Sequence, residues 1–541
     1  MPRSFRLLAA SLAAAVAFSP LLARAADDQK PPEKPTAPAP AQSVTTQGTV
    51  NVGGQAIQYD AVAGIITVGA TDPQDAELGA DGKPLPNTDL AAQVAAAKSP
   101  DDAPPLAHMF YVAYFKHGAD LEHRPITFLY NGGPGSSTVW LHMGSFGPKR
   151  VETGEDDTHL DAAPYRLTDN SESLLDVSDL VFIDMPGTGF GRLTGKNAGK
   201  AFWGINEDGH AFGRFIQRFL TQYNRWNSPK YIFGESYGTT RSAVLSNLLE
   251  NNYNIDLNGV ILLSQIFDFT TDIDGPEMNP GVDLPYELAL PTYAATAMYH
   301  KKIAEQPLQP FLKEVEDFAM GPYAQALEKG TDLTQDEKQA VAEKLHEYTG
   351  LPLDYLMRGN LRISGPEFEK TLQQDSDTTT GRLDTRFSGP TIDPLSQGAE
   401  YDPQSSAISS AYVSLFNQYV RNTLHYGAGE TYLPMANYPD FTWNFMQNGF
   451  PEMNVAPDLA MAMKTNPKLK VMVNGGYYDL ATPFFAAQYE DKHLPIEQRL
   501  ASNIQFDWYQ SGHMVYVRTS ALKALHDNVA AFIRSTDGGN Q

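Results

Sequence analysis

The chain has 541 residues, of which 42% are apolar and 19% are charged, and this composition is typical of a globular protein with a substantial core. The formal net charge of -24 argues against nucleic acid or an anionic membrane as a partner. Cysteine is absent, which excludes disulfide bonds, a thiol nucleophile and thiolate metal ligands.

The first 25 residues have the features of a secretory signal peptide. Two arginines precede an apolar run over 7–22, and Ala23-Arg24-Ala25 forms an A-x-A cleavage site. An uncleaved membrane anchor is the alternative, but the run is short and Pro20 interrupts it. We therefore expect a periplasmic or secreted protein whose mature form has no membrane segment and begins at or near Ala26.

The segment after the predicted signal peptide has two parts, a predicted tether and then a series of predicted strands. Residues 26–45 are rich in Pro and Ala, which predicts an extended tether, and the alternation around glycines over 48–68 predicts hairpins. Short apolar runs then predict buried strands of a sheet that is covered on both faces. These runs are 109–115, 126–130, 180–184, 231–233, 260–263, 469–473 and 504–509.

Helical patterns alternate with these strands and predict an α/β fold with a mostly parallel central sheet and helices on both faces. The clearest of them are 211–223, 239–250 and 521–533. Over 275–435 the strand signals thin out and amphipathic helices are predicted instead. We therefore predict a core in two parts, 46–274 and 436–541, separated by a helical insertion, or cap, at 275–435.

The segment IFGESYGTTRSAV, residues 232–244, contains a G-x-S-x-G pattern centred on Ser236. It follows a predicted strand and opens a predicted helix, which is the setting of a nucleophile elbow that exposes the serine hydroxyl. An ordinary glycine-flanked turn is the alternative, because the bare pattern arises easily by chance. A serine nucleophile also needs a base, an acid that orients the base, and donors for the oxyanion.

Candidates for the base and the acid each follow a predicted strand. Asp479 ends the motif NGGYYD, and His513 lies in the later motif SGHM. Both are therefore expected at the same sheet edge as Ser236, where open α/β sheets gather their ligands and catalytic groups. We predict His513 as the base and Asp479 as its acid, with Asp184 as the rival acid or a simple strand-end carboxylate.

A glycine-rich loop supplies candidates for the oxyanion donors. NGGPGSS, residues 131–137, follows a predicted strand, and its glycines let backbone N–H groups approach a substrate carbonyl. The N–H groups of Gly133 and of Tyr237, the residue after the candidate nucleophile, form the natural pair. A tight turn that requires positive φ is the alternative.

Together these motifs resemble the serine carboxypeptidase family of α/β-hydrolases. The segments that carry the resemblance are NGGPGSS, DMPGTGFG (184–191), GESYG, NGGYYD and SGHMV, within about 105–270 and 440–541. The resemblance implies an α/β-hydrolase fold and hydrolysis of C-terminal peptide bonds through an acyl-enzyme. It implies Ser236, Asp479 and His513 as the triad and Gly133 and Tyr237 as the oxyanion hole.

The resemblance also gives Glu235 a role. In the family, the Asn of NGGPG and the Glu before the serine bind the C-terminal carboxylate of the substrate, and these positions are Asn131 and Glu235. Two adjacent carboxylates repel each other unless one is protonated, so such a site works best in acid. Ser145 stands where the family usually has a second Glu, and it can add a hydrogen bond but no titrating group.

The remaining signals indicate no cofactor or metal. The glycines of 187–191 lack the full G-x-G-x-x-G spacing of a dinucleotide site, and no His, Asp and Glu cluster has a metal-ligand spacing. Peptides are the expected substrates. Two alternatives stay open: an esterase or acyltransferase with the same triad, and a non-catalytic binding protein on the same fold.

Overall fold

Every apolar run that predicts a strand overlaps a strand of the central sheet. The computed structural model describes residues 43–155, 157–447 and 454–538, so the predicted signal peptide lies outside the described residues. The strands are β1 (Ser43–Val52), β2 (Gln55–Gly69), β3 (Leu106–Lys116), β4 (Ile126–Tyr130), β5 (Lys149–Val151), β6 (Leu167–Asp169), β7 (Asp179–Ile183), β8 (Arg192–Thr194), β9 (Lys230–Glu235), β10 (Gly259–Leu263), β11 (Thr378–Thr380), β12 (Ser388–Pro390), β13 (Lys470–Gly476) and β14 (Ile504–Tyr509).

The central sheet has ten strands in the order β1-β2-β3-β7-β4-β9-β10-β13-β14, with β8 paired to β3. The strands from β7 to β14 in this order run parallel to one another. By contrast, β1, β2 and β3 form antiparallel ladders at one side. The predicted hairpin and the mostly parallel sheet are therefore both present, and the carboxyl ends of the parallel strands meet at one edge.

Helices connect most of the parallel strands, and α5, α6 and α17 correspond to the three helices predicted between strands. The helices are α1 (Asp72–Ala76), α2 (Asp89–Ala96), α3 (Val139–Gly144), α4 (Ala198–Phe202), α5 (Ile205–Gln222), α6 (Tyr237–Asn251), α7 (Leu284–Tyr299), α8 (Leu308–Phe318), α9 (Ala324–Glu328), α10 (Gln335–Thr349), α11 (Leu353–Arg358), α12 (Gly365–Thr371), α13 (Pro403–Asn422), α14 (Ala456–Thr465), α15 (Phe484–Lys492), α16 (Gln498–Ala501) and α17 (Thr519–Thr536).

Two hydrophobic cores lie on opposite faces of the sheet. Successive side chains of a strand point to opposite faces, so Phe110 and Val112 of β3 join one core and Met109 and Tyr111 join the other. The first core contains side chains of α3, α13 and α17, and the second contains side chains of α5, α6 and α14. The sheet is thus covered on both faces, as in other α/β proteins.

The helices between β10 and β13 do not all belong to one layer. Side chains of α7 to α12 form a third core together with the segment 477–486, which follows β13. The helix α13 instead packs in the first core of the sheet, against α3. Part of the predicted insertion is therefore built into the main body of the fold, and it also contains the two-stranded sheet of β11 and β12.

The first strand begins inside the predicted tether, whose boundary is placed at residue 45, and residues 26–42 of that tether lie outside the described residues. Ser43, Val44 and Thr45 already pair with Gly64, Ala63 and Val62 in the antiparallel ladder of β1 and β2. The threonines and valine of this stretch suit a strand, whereas the Pro-rich composition ends before it. Within the described ranges, no helix is both long enough and apolar enough to cross a membrane.

Two buried carboxyl groups of α15 lie behind the loop that follows β10. Glu490 accepts hydrogen bonds from the backbone N–H groups of Phe267 and Asp268, at 3.1 and 2.9 Å. Neither side-chain oxygen of Asp491 has a hydrogen-bond partner among the described residues. Burial raises the pKa of Glu490 to about 7, and burial together with the adjacent Glu490 raises the pKa of Asp491 well above its usual range.

We expect the free energy of unfolding to fall as the pH rises from about 4 to about 8. Glu490 titrates at about 4 in the unfolded chain, but the folded chain holds its proton up to a pKa of about 7. The stabilisation is therefore fully present below the unfolded pKa and is lost as the pH rises through the folded pKa. For Glu490 alone it amounts to on the order of 3 kcal/mol.

Urea unfolding at pH 5 and at pH 8 measures this loss. Asp491→Asn removes one of the two titrating groups without changing the shape of the side chain, so the stability difference between the two pH values should shrink. Equal stability of the unmodified protein at both pH values would contradict the prediction.

Candidate active site

Ser236 occupies a sharp turn between β9 and α6. Its backbone has φ 61° and ψ -132°, a left-handed conformation that costs energy for a residue other than glycine. The turn brings the chain so close to itself that a Cβ on Gly234 would lie 2.1 Å from the carbonyl oxygen of Gly238. The Ser236 N–H donates to the Leu263 carbonyl of β10 at 2.9 Å. The turn therefore requires Gly234, and a Cβ on Gly238 would lie 2.9 Å from the Tyr130 carbonyl oxygen at the end of β4. This arrangement is that of a nucleophile elbow.

His513 and Asp479 meet at the same edge of the sheet. The Nδ1 atom of His513 lies 2.9 Å from Oδ2 of Asp479. Asp479 is fully buried and also accepts hydrogen bonds from the backbone N–H and the hydroxyl of Thr482, at 2.9 and 2.8 Å. Because Nδ1 faces the carboxylate, the imidazole tautomer that donates from Nδ1 leaves Nε2 as the acceptor.

The surroundings of His513 act on its pKa in opposite directions. Burial alone lowers the pKa, but the charge of Asp479 and its hydrogen bond outweigh burial and raise the pKa above the ordinary value for histidine. The imidazolium that forms when His513 takes a proton is thus stabilised by Asp479.

The rival acid, Asp184, serves a different part of the structure. Its Oδ1 accepts a hydrogen bond from the backbone N–H of Thr138 at 2.7 Å. Its Oδ2 lies so close to Gly189 that a Cβ there would be 1.8 Å away. Burial raises the pKa of Asp184 to about 7. Asp184 therefore joins two loops, and among the described residues the carboxylate that bonds His513 is Asp479.

The glycine-rich loop after β4 lies directly on the start of α6. A Cβ on Gly132 would be 2.4 Å from the backbone nitrogen of Tyr237, so only glycine permits this approach. The next residue, Gly133, has φ 112°. From the other side, the Ser137 N–H donates to the Pro434 carbonyl at 2.9 Å and holds the loop in place. The backbones of Gly132 and Tyr237 are thus in contact, and Gly133 lines the same cavity as Ser236.

Glu235 is buried, with 2% of its surface exposed, and the hydroxyl of Tyr516 donates to its Oε2 at 2.8 Å. Asn131 accepts the Leu141 N–H at its Oδ1 at 2.9 Å, which turns its NH₂ group toward Glu235. Burial raises the pKa of Glu235 to about 7, although His513, Tyr516 and Asn131 all act to lower it. The carboxyl is therefore mostly protonated in acid and ionised above neutral pH.

Ser145 occupies the sequence position of the family's second Glu but cannot perform its role. We expected its hydroxyl to donate a hydrogen bond to a substrate carboxylate, and its geometry does not allow this. Its hydroxyl donates to the Leu141 carbonyl at 2.6 Å and the residue is fully buried. A hydroxyl has one hydrogen, so none is left for a substrate. A Cβ on the adjacent Gly144 would lie 2.5 Å from the Tyr516 ring and 2.8 Å from the Tyr412 hydroxyl. Two tyrosines that carried no sequence signal thus crowd this side of the site.

A cavity of about 280 Å³ brings most of the predicted residues together. Those that line it are Asn131, Gly133, Glu235, Ser236 and His513. Its apolar wall consists of Trp140, Leu383, Ile408, Met435 and Met514. Larger grooves of about 1010 and 850 Å³ lie elsewhere on the described surface, but neither is lined by a serine or a histidine. We therefore place the candidate active site in the smaller cavity.

A cluster of three side chains with metal-ligand atoms lies outside this cavity and is empty. Glu172, His526 and Asp527 place one ligand atom each within 4.8 Å of one another. His526 is also paired with Asp176, and Asp527 with Lys523, so the cluster already has internal ion pairs. None of these residues lines the cavity that contains Ser236.

The elbow between β9 and α6, with His513 and Asp479 at the ends of later parallel strands, defines the chain as an α/β-hydrolase fold. The family model described as serine carboxypeptidase matches residues 102–526. The chain belongs to this peptidase family and is a hydrolase of the serine carboxypeptidase type.

One solved structure agrees with the fold. The chain is similar to Kex1(delta)p, a prohormone-processing carboxypeptidase from Saccharomyces cerevisiae, with 14% identity, a TM-score of 0.51, and coverage of 88% of this chain and 91% of that one. It is also similar to a proline iminopeptidase of Mycobacterium smegmatis, with 12% identity, a TM-score of 0.33, and coverage of 80% and 96%. No curated protein matches the chain in sequence.

Proposed function

We propose that this protein is an exported serine carboxypeptidase that cleaves C-terminal peptide bonds through an acyl-enzyme on Ser236. The observation that supports it most is one cavity in which a strained serine, a histidine bonded to a buried aspartate, and a buried protonatable carboxyl lie side by side. The first two suit acyl transfer, and the last suits a substrate that ends in a carboxylate.

In the proposed reaction, the Ser236 hydroxyl attacks the scissile carbonyl while Nε2 of His513 takes its proton. Asp479 accepts the Nδ1 hydrogen bond and stabilises the imidazolium. The N–H groups of Gly133 and Tyr237 bind the oxyanion. His513 then protonates the leaving amine, and the C–N bond breaks to give the acyl-enzyme. Water, deprotonated by His513, attacks the ester and regenerates Ser236.

In this proposal, Asn131 and Glu235 bind the C-terminal carboxylate of the substrate. The Tyr516 hydroxyl occupies Oε2 of Glu235, which leaves Oε1 to carry the proton and donate it to the substrate carboxylate. The amide of Asn131 supplies a second donor, because its oxygen is already bonded to the Leu141 N–H. Binding of a free C-terminus thus depends on protonated Glu235.

We expect KM for peptides with a free C-terminus to rise as the pH rises through the Glu235 pKa of about 7. Above that pKa the two carboxylates repel each other. Glu235→Gln keeps a donor at every pH, so it should flatten the pH dependence of KM for peptides and leave ester hydrolysis nearly unchanged. KM measured against pH for both proteins on one blocked dipeptide tests this. Superimposable profiles would show that Glu235 does not contact the C-terminus.

A second candidate function is that of an esterase or acyltransferase with the same triad. The commitment of the Ser145 hydroxyl to Leu141 favours it, because the cavity then has fewer donors for a substrate carboxylate. Incubation with a blocked dipeptide, its amide and its ester, in acid and at neutral pH, separates the two. Cleavage of the ester alone would favour the esterase.

Export is the part of the proposal that rests on the first 25 residues. N-terminal sequencing of the protein isolated from the periplasm or medium should find a chain that begins at Ala26 or within a few residues of it. An exported chain that still begins with Met1 would contradict cleavage and favour a membrane anchor.

A further inference from the structure

An arginine lines the cavity that contains Ser236 and His513. It is Arg382, whose side chain is 35% exposed. Its positive charge is close enough to act on His513. Arg382 lies in the segment between β11 and β12, where the sequence carries no motif, and the proposed reaction gives it no role.

Arg382 is held firmly beside the base. It belongs to residues 381–386, which we call the strap. The Arg382 carbonyl accepts the Leu480 N–H at 3.1 Å, and the next carbonyl, that of Leu383, accepts the His513 N–H at 2.6 Å. The backbone N–H of Arg382 donates to Asp402 at 2.8 Å. The strap thus fixes the Arg382 backbone to the loops that carry His513 and Asp479.

Only one side of the guanidinium is occupied. Its Nε donates to Oδ2 of Asp274 at 2.7 Å, and its Nη2 is paired with the same oxygen. Among the described residues, Nη1 has no acceptor. A guanidinium has five N–H donors in a planar fork that suits a carboxylate, so Arg382 keeps donors for a second anion. Asp274 positions the group without using it fully.

Asp274 offsets the charge of Arg382, but two further acids nearby are less readily ionised than usual. Asp272 and Glu369 also lie near Arg382. Burial raises the pKa of both, and the pKa of about 8 keeps the Glu369 carboxyl protonated in acid. The lining carboxyl, Glu235, is protonated in acid as well. An arginine with free donors therefore faces a cavity with little fixed negative charge.

We propose that Arg382 binds an acidic side chain of the peptide beside the scissile bond. The enzyme would then prefer substrates with Glu or Asp at the terminal or the penultimate position. This inference rests on the proposed function and names its substrate class. Asn131 and Glu235 are assigned to the C-terminal carboxylate, so the partner of Arg382 is a second carboxylate.

The test compares kcat/KM for matched pairs of blocked dipeptides: Glu-Ala with Gln-Ala, and Ala-Glu with Ala-Gln. The unmodified enzyme should prefer the Glu member of one pair by about tenfold, the effect of a charge-assisted hydrogen bond. Arg382→Gln should bring that ratio to about one, and Arg382→Lys should keep part of it. As a control, Arg166→Gln removes an arginine whose side chain is 80% exposed and should keep the full ratio.

Each other outcome overturns the inference. Equal kcat/KM for Glu and Gln peptides in the unmodified enzyme would contradict the role of Arg382 but would leave the proposed function unchanged. Equal losses on all four peptides in Arg382→Gln, with the ratio kept, would mean that Arg382 serves the C-terminus or the fold instead. If Arg382→Gln has a lower melting temperature than the unmodified enzyme, the test uses Arg382→Lys instead. A Glu-to-Gln ratio of kcat/KM that is the same in Arg382→Lys as in the unmodified enzyme would then overturn the inference. Hydrolysis of none of the peptides would contradict the proposed function itself.

Discussion

Ser236→Ala should lower kcat/KM for peptide and ester substrates by roughly 10⁴ to 10⁶ while the protein stays folded. The change removes the proposed nucleophile and keeps a Cβ, so the strained backbone at φ 61° is neither relieved nor worsened. Because the acyl-enzyme can no longer form, both substrate classes should be affected alike.

Initial rates with a blocked dipeptide and its ester, together with a melting curve, measure this loss. Ser246→Ala is a matched control, because Ser246 is a buried serine of α6, the helix that follows Ser236, and among the described residues its hydroxyl bonds only the Ala243 carbonyl, at 2.8 Å. It should retain activity. A serine-directed phosphonate should label the unmodified protein and Ser246→Ala, but not Ser236→Ala. A Ser236→Ala protein with a tenth of normal activity would rule out the assignment.

His513→Ala should be about as damaging as loss of the serine, since it removes the imidazole that Asp479 orients to take the proton of Ser236. Asp479→Asn should be less damaging, roughly 10⁴-fold in kcat. The amide can donate to Nδ1 and so favours the wrong imidazole tautomer, but it leaves His513 in place. The hydrogen bonds of Thr482 to position 479 would be partly kept.

Asp184→Asn is the matched control for the acid. Asp184 is also buried after a parallel strand, but it bonds the Thr138 N–H and not His513. We expect the change to affect stability more than kcat. If Asp184→Asn lost more activity than Asp479→Asn while remaining well folded, the choice of the acid would be wrong.

The central sheet and the elbow could be predicted because their signals are local. A buried strand needs only a short apolar run, and the elbow depends on contacts within five residues, such as that between Gly234 and Gly238. The order of Asp479 and His513 after their strands then placed both at one edge. The choice between Asp184 and Asp479 was open in the sequence, because both follow strands, and it needed the distance to His513.

The other features of the candidate site could not be predicted, because they depend on contacts between positions that are distant in the sequence. Tyr516 meets Glu235 across 281 positions, and Arg382 meets Asp274 across 108. Neither pair has a spacing that a sequence pattern could reveal. Ser145 illustrates the converse, since its position matches a functional residue of the family but its hydroxyl bonds the preceding turn of α3. Side-chain direction, which the sequence does not show, decided that case.

The strap, residues 381–386, contacts the loop that carries His513 and also carries Arg382. The His513 N–H donates to the Leu383 carbonyl, and the Gly512 N–H donates to Asp384 at 3.1 Å, so the loop of the proposed base is completed by residues from between β10 and β13. A foreign insertion grafted onto this sheet would have to bring its own acceptors for these two N–H groups. The insertion is therefore not a freely exchangeable module, and we expect a change of a single side chain in it to be tolerated more easily than replacement of the whole segment.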